Sequence, residues 1–106
     1  MKYYAVVQLD ILDRQWVGDY VTNVTALVAQ HGGRYLARST AAEIIEGGRK
    51  PPEVFVIVEW PSKAAAVDFY HSEAYRPYRE ARLQGARCDF ALVAGEDLDR
   101  PVAVAG

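Results

Sequence analysis

The sequence predicts an α+β fold of the ferredoxin-like kind, an antiparallel sheet with helices on one face, and three observations lead there. Hydrophobic periodicity alternates between the strand and helix repeats in the order strand, helix, strand, strand, helix, strand (βαββαβ). At 106 residues the chain has room for one modest core. The clearest strand, "EVFVIVEW" (53–60), is apolar on both faces until Glu59, which marks burial on two sides.

The elements follow in chain order. "YYAVVQLDI" (3–11) is a β-rich run with Gln8 and Asp10 near its end. Asp13 is placed to cap a helix, since its carboxylate accepts from first-turn amides. Val17, Tyr20, Val21, Val24, Leu27, Val28 and His31 recur at spacings of three and four, one apolar stripe of a helix. "HGG" ends it, because glycine takes the left-handed conformation without a Cβ penalty. Residues 34–46 read as extended in two pieces, "RYLAR" and "EIIE", before a "GGRKPP" loop. After strand 53–60, Pro61 ends the ladder and Ser62 caps a helix through "KAAAVDFYH". Ser72 restarts a helical segment that aligns Tyr75, Tyr78, Arg79 and Arg82, and "RCDFALVAG" is the final strand. Residues 1–95 form the single expected domain, and 96–106 are a tail that is mobile or lies on a partner.

Helices cover only one sheet face, yet Val54, Val56, Val58 and Trp60 point one way while Phe55 and Ile57 point the other. The uncovered apolar face is expected to meet a second copy of the chain, giving a homodimer. Net charge is −2, which argues against nucleic-acid partners. No apolar run approaches the ~20 residues that span a bilayer, and the N-terminus is too polar for a signal peptide. A single cysteine, Cys88, fits a reducing compartment, so a cytoplasmic location is expected.

Three stretches, "HGGRYLAR", "VIVEWPS" and "FYHSEAYRPYREAR", resemble the signature stretches of the domain of unknown function 1330 family, over nearly the whole chain from about residue 3 to about residue 94. The resemblance implies a dimeric α+β barrel of ferredoxin-like subunits and carries no established reaction. Relatives by fold include cofactor-free monooxygenases, haem-degrading enzymes, small isomerases and ligand-sensing domains, and fold alone does not choose among them. The matching positions are His31, Gly32, Gly33, Arg34 and Arg38; then Glu59, Pro61 and Ser62; then Tyr70, Ser72, Tyr75, Pro77 and Arg82. Trp60 stands where a phenylalanine is more usual. Ser39 and Thr40 replace a common pair of glycines, against close backbone approach of a ligand there.

Each candidate residue carries a functional and a structural reading. Arg38 and Glu59 form a polar patch at a pocket mouth, with Arg38 on an anion, or an ion pair locking a dimer. Tyr75 and Arg82, with Tyr78 and Arg79, clamp a carboxylate, or the arginines pair with Glu73 and Glu80 in water. His31 is a general base or a cap on the last helix carbonyls, and His71 is read the same way. Asp10 or Gln8 approaches Glu59 to make a proton shuttle, or Asp10 sits at an exposed strand end. Cys88 reads as a small buried residue. Two histidines in different elements and one cysteine have no metal-ligand spacing, and nothing brings them together with Trp16 and Trp60 as haem requires, so no metal or cofactor is expected.

Two functional classes remain. One is a small cofactor-independent enzyme acting on an apolar, anionic or phenolic metabolite. The other is a non-catalytic module, either binding a small ligand or serving dimerisation alone.

Overall fold

The computed structural model describes residues 1–99. Four strands, β1 (Tyr3–Ile11), β2 (Arg34–Ser39), β3 (Val54–Trp60) and β4 (Ala86–Ala94), form one antiparallel sheet in the order β2-β3-β1-β4. Three helices, α1 (Val17–Gln30), α2 (Lys63–Tyr70) and α3 (Arg76–Gly85), complete the α+β ferredoxin-like fold.

Register follows the apolar pattern. Ala5, Val7 and Leu9 of β1 are buried on the helix side, and their partners Val58, Val56 and Val54 line the same side. Trp60, Val24, Val28, Phe69 and Tyr75 close the core, with the Phe69 and Tyr75 ring centroids 4.3 Å apart. The opposite sheet face carries Tyr4, Val6, Phe55, Ile57, Ala91 and Val93, and no element of the described chain covers it. Val93 is 49% exposed.

Local chemistry sets the element ends. Ser62 has extended backbone and its Oγ accepts from the Ala65 amide at 3.1 Å, the cap read from the sequence. Ser72 makes the break between α2 and α3: its Oγ donates to the Phe69 carbonyl at 2.8 Å and accepts from the Tyr75 amide at 3.2 Å. Pro77 then sits in the first turn of α3, where its missing N–H costs nothing. Gly32 has φ +86°, so the left-handed stop of α1 is where "HGG" places it.

Two local expectations are corrected. Asp13 does not cap α1: its Oδ1 accepts from the Gln15 amide at 2.9 Å, and the helix starts later, with Trp16 at the N-cap. The delay has a cause, since the Leu12 and Asp13 amides and the Trp16 indole all donate to the Gly85 carbonyl and tie this segment to the end of α3. The second extended piece, residues 43–46, is no strand. The sheet order leaves it no ladder partner, and Ile45 stands 85% exposed. Of the tail, residues 96–99 have neither helix nor strand, and 100–106 lie outside the described residues.

Candidate functional site

A cavity of about 460 Å³ lies between α1 and the helix side of the sheet. It is within the size range of small-molecule sites. β1 and β3 floor it with valines, Ala5 and Leu9; α1 roofs it with Val17, Tyr20, Val21, Val24 and Val28. Aliphatic and aromatic carbon dominates this lining, and the polar atoms gather in two places.

The first is deep, where α3 meets β4. Tyr75 at the N-cap of α3 and Arg82 seven residues on face the same side, and both are buried, Arg82 at 2% exposure. The guanidinium has little to hold. Nη1 donates to Cys88 Sγ at 3.1 Å, a weak acceptor, and the Phe90 ring lies 5.6 Å from Cζ. Nε and Nη2 are buried with no hydrogen-bond partner in the described protein. Burial works against the charge, and the neighbouring Tyr75, including a contact of its hydroxyl with the guanidinium that falls short of hydrogen-bond geometry, together with Tyr20 and Cys88 more than offsets it, so the guanidinium stays protonated. The Tyr20 and Tyr75 hydroxyls are hydrogen-bonded to each other. Burial, then the neighbouring Tyr75, pushes the Tyr20 phenol well above the ordinary tyrosine range, with Arg82 opposing. Burial likewise raises the Cys88 thiol, again against Arg82, so this sulfur is a protonated acceptor rather than a nucleophile.

The second place is at the β2 side, where Tyr35, Arg38, Ser39 and Thr40 line the cavity. Arg38 Cζ stacks 3.8 Å over the Tyr35 ring, and Nη1 donates to Thr25 Oγ1 on α1 at 2.7 Å. Burial raises the Tyr35 phenol while Arg38 lowers it.

The structure brings Arg38, Tyr75 and Arg82 to one cavity and leaves His31, Asp10 and Glu59 outside it. His31 ends α1, and its Nδ1 lies 2.9 Å from the Leu27 carbonyl, which can only accept; the ring donates there as a cap. Asp10 is at an exposed strand end, its Oδ1 accepting from the Glu53 amide at 2.9 Å. Glu59 is on the opposite sheet face, paired with Lys2 at 3.0 Å and Arg34 at 3.4 Å. Lys2, ahead of Arg34, holds its carboxyl below the usual range.

Two expected approaches therefore do not occur. Arg38 does not meet Glu59, because the register sets Arg34 opposite Glu59 and Arg38 opposite Val56. Asp10 and Gln8 do not approach it either, since antiparallel pairing puts Tyr4 across from Glu59 and Asp10 at the far end of β1. Arg79 is also outside the cavity, donating to the Tyr70 carbonyl, and His71 lines a separate depression of about 210 Å³ beside α2. Tyr20 and Tyr35 are cavity residues that the sequence reading did not single out, while Cys88, read there as a small buried residue, is half-buried behind Arg82. Tyr20 stood in the α1 stripe, and only its phenol oxygen distinguished it there from a core residue. Among the described residues no group of three or more His, Cys, Asp or Glu side chains could hold a metal, and no helix is long and apolar enough to cross a membrane.

Three solved structures show the same fold. A protein of unknown function from Rhodopseudomonas palustris matches over 91% of this chain and 83% of its own, with 15% identity and a TM-score of 0.75. SnoaB, a cofactor-independent oxygenase from Streptomyces nogalater, matches over 91% and 94%, with 11% identity and a TM-score of 0.62. A de novo designed protein matches over 91% and 100%, with 10% identity and a TM-score of 0.59. At these identities the likeness is one of fold, and a designed scaffold among the matches makes the same point. No curated protein matches the chain in sequence. The family model for a domain of unknown function (DUF1330) matches residues 2–96. With nearly the whole chain covered, this protein belongs to the domain of unknown function 1330 family.

Proposed function

We propose that the protein binds a small, mainly apolar molecule carrying an anionic oxygen (a carboxylate, phenolate or enolate) in the cavity beneath α1, with Arg82 on the anion. One observation carries this reading: a guanidinium at 2% exposure, with Nε and Nη2 unpartnered, beside an apolar cavity of about 460 Å³. A buried cation is costly unless an anion meets it, and the arginine fork suits a planar two-oxygen group. The reading includes a homodimer through the uncovered sheet face. That face is apolar at its centre and carries both signs at its ends, Lys2, Arg34 and Glu59 at one and Asp10, Arg87 and Asp89 at the other, which suits pairing with a copy of itself. It also includes a cytoplasmic location, supported by the lone cysteine.

A cofactor-independent enzyme is the second reading, favoured by the two tyrosine hydroxyls beside the guanidinium. Such donors stabilise a developing oxyanion in a water-poor site. With no carboxylate or imidazole among the described residues that line the cavity, its substrate would be one that ionises readily without a protein base.

The test is a thermal-shift screen of small carboxylates, phenols and enolisable diketones against the parent and Arg82→Met. A binder at a hundred times its dissociation constant adds about 2.7 kcal/mol. Stabilisation of the parent that the variant lacks is the expected result; no stabilisation by any class, or equal stabilisation of both proteins, overturns the reading. Oxygen uptake or product formation with each binder then decides between carrier and enzyme.

A further inference from the structure

Arg82 is not the only cation of this cavity. Arg38 lines it too, and the strand register sets the distance from Arg38 to the strand beside Arg82. Arg38 pairs with Val56, Val56 with Val7, and Val7 with Phe90, the residue whose ring lies 5.6 Å from the Arg82 guanidinium. Those are three inter-strand steps, about 14 Å across the sheet at ~4.8 Å each. Between them the floor is Val56 and Val7, with no polar side chain. Arg38 and the strand residue beside the Arg82 guanidinium are thus on opposite edge strands, with an apolar floor between them and the Tyr35, Tyr20 and Tyr75 phenols alongside it, and one carboxylate is too small to reach across that span.

Arg38 is also held in place rather than left trailing in solvent. Its face packs on Tyr35 and its Nη1 is fixed to Thr25 on α1, while no acceptor among the described residues takes Nε or Nη2. An arginine fixed by one nitrogen and one face still presents donors to an arriving anion.

From this placement we infer, resting on the reading above, that the ligand is two-headed: an elongated dianion whose anionic groups meet Arg82 and Arg38 and whose apolar middle lies over Val7 and Val56. Arg82 supplies the buried, desolvated contact. Arg38, at the exposed end, steers the second charge in and discriminates against molecules that lack it, an effect that added salt weakens.

The experiment is titration calorimetry with linear α,ω-dicarboxylates from hexanedioate to dodecanedioate, each against the monocarboxylate of equal carbon number, on the parent, Arg38→Gln and Arg82→Met. In the parent the dicarboxylate is expected to bind roughly two- to fivefold more tightly at one optimal length, the size of effect that one exposed charge contact gives. In Arg38→Gln that advantage falls to about unity while monocarboxylate affinity holds; in Arg82→Met both classes weaken. Equal affinity of mono- and dicarboxylates at every length in the parent overturns the two-headed ligand and leaves the anion site at Arg82 standing. Loss of neither class in Arg82→Met, or no binding by any probe, overturns the anion site itself.

Discussion

Replacing Arg82 by methionine removes a buried charge and keeps a long, flexible side chain that fills similar space. In the unfolded chain all five guanidinium N–H groups are hydrated. In the folded chain Nε and Nη2 have no partner among the described residues, and each buried unsatisfied donor costs about 1–3 kcal/mol, so roughly 2–6 kcal/mol is stored there. The Cys88 contact and the Phe90 ring return about 1 kcal/mol each. The unliganded Arg82→Met protein is therefore expected to be at least as stable as the parent, by about 0–4 kcal/mol, with Tm unchanged or raised by up to several degrees. The assay is equilibrium urea unfolding at several protein concentrations, so that any dimer contribution is separated. A variant less stable than the parent by more than about 1 kcal/mol refutes an unpaired guanidinium and makes Arg82 part of the scaffold. A stabilised variant that has lost ligand binding is the signature of a site kept at the expense of the fold.

Three further outcomes follow from the structure. Gly85→Ala is expected to cost about 1–3 kcal/mol in the same urea assay, because a Cβ there overlaps the Trp16 indole and breaks its bond to the Gly85 carbonyl; a neutral effect removes that close approach. Glu59 is held below the ordinary carboxylate value by Lys2 and Arg34, so its contribution is full above about pH 4.3 and is lost as pH falls through its lower folded value. Glu59→Gln should flatten the stability–pH curve in that acid window and leave its shape near neutrality unchanged, and an unaltered acid limb counts against the pairing. Ile57→Asp puts a charge in the middle of the uncovered sheet face, and sedimentation velocity should show a dimeric parent and a monomeric variant; a parent that sediments as a monomer at micromolar concentration excludes the homodimer.

Much of the scaffold was legible because its causes are local. The two-sided apolar run of β3, the α1 stripe with its glycine stop and the Ser62 cap depend on near neighbours in the chain, and they stand where the periodicity put them. Tyr75 and Arg82 were legible for the same reason, seven residues apart on one helical segment. The Arg38–Glu59 and Asp10–Glu59 approaches failed because they depended on ladder register, which is set by pairing across the whole sheet. In β2 a bulge between Tyr35 and Ala37 shifts that register, and no residue type announces it. The cavity itself was hidden for a further reason. Val21 and Tyr20 read as core-facing, but Tyr20 faces a space that α1 and the sheet leave unfilled, and Val21, 49% exposed, stands at its open side.

The adjacency of β1 and β4 bears on how the chain reaches this state. Tyr3 pairs with Ala94, so the central strand that emerges first waits for the last strand to satisfy one of its two edges. Until then β1 and β3 form a ladder with an open side, the condition in which strands pair with the wrong chain. The burial of Arg82 against Cys88 belongs to that same late event, since Cys88 is on β4. Pairing over such sequence separation is intrinsically slow. The step that hides a poorly partnered cation is thus also the one that closes the sheet, and an anion at the guanidinium would favour the closed form over its half-paired precursor.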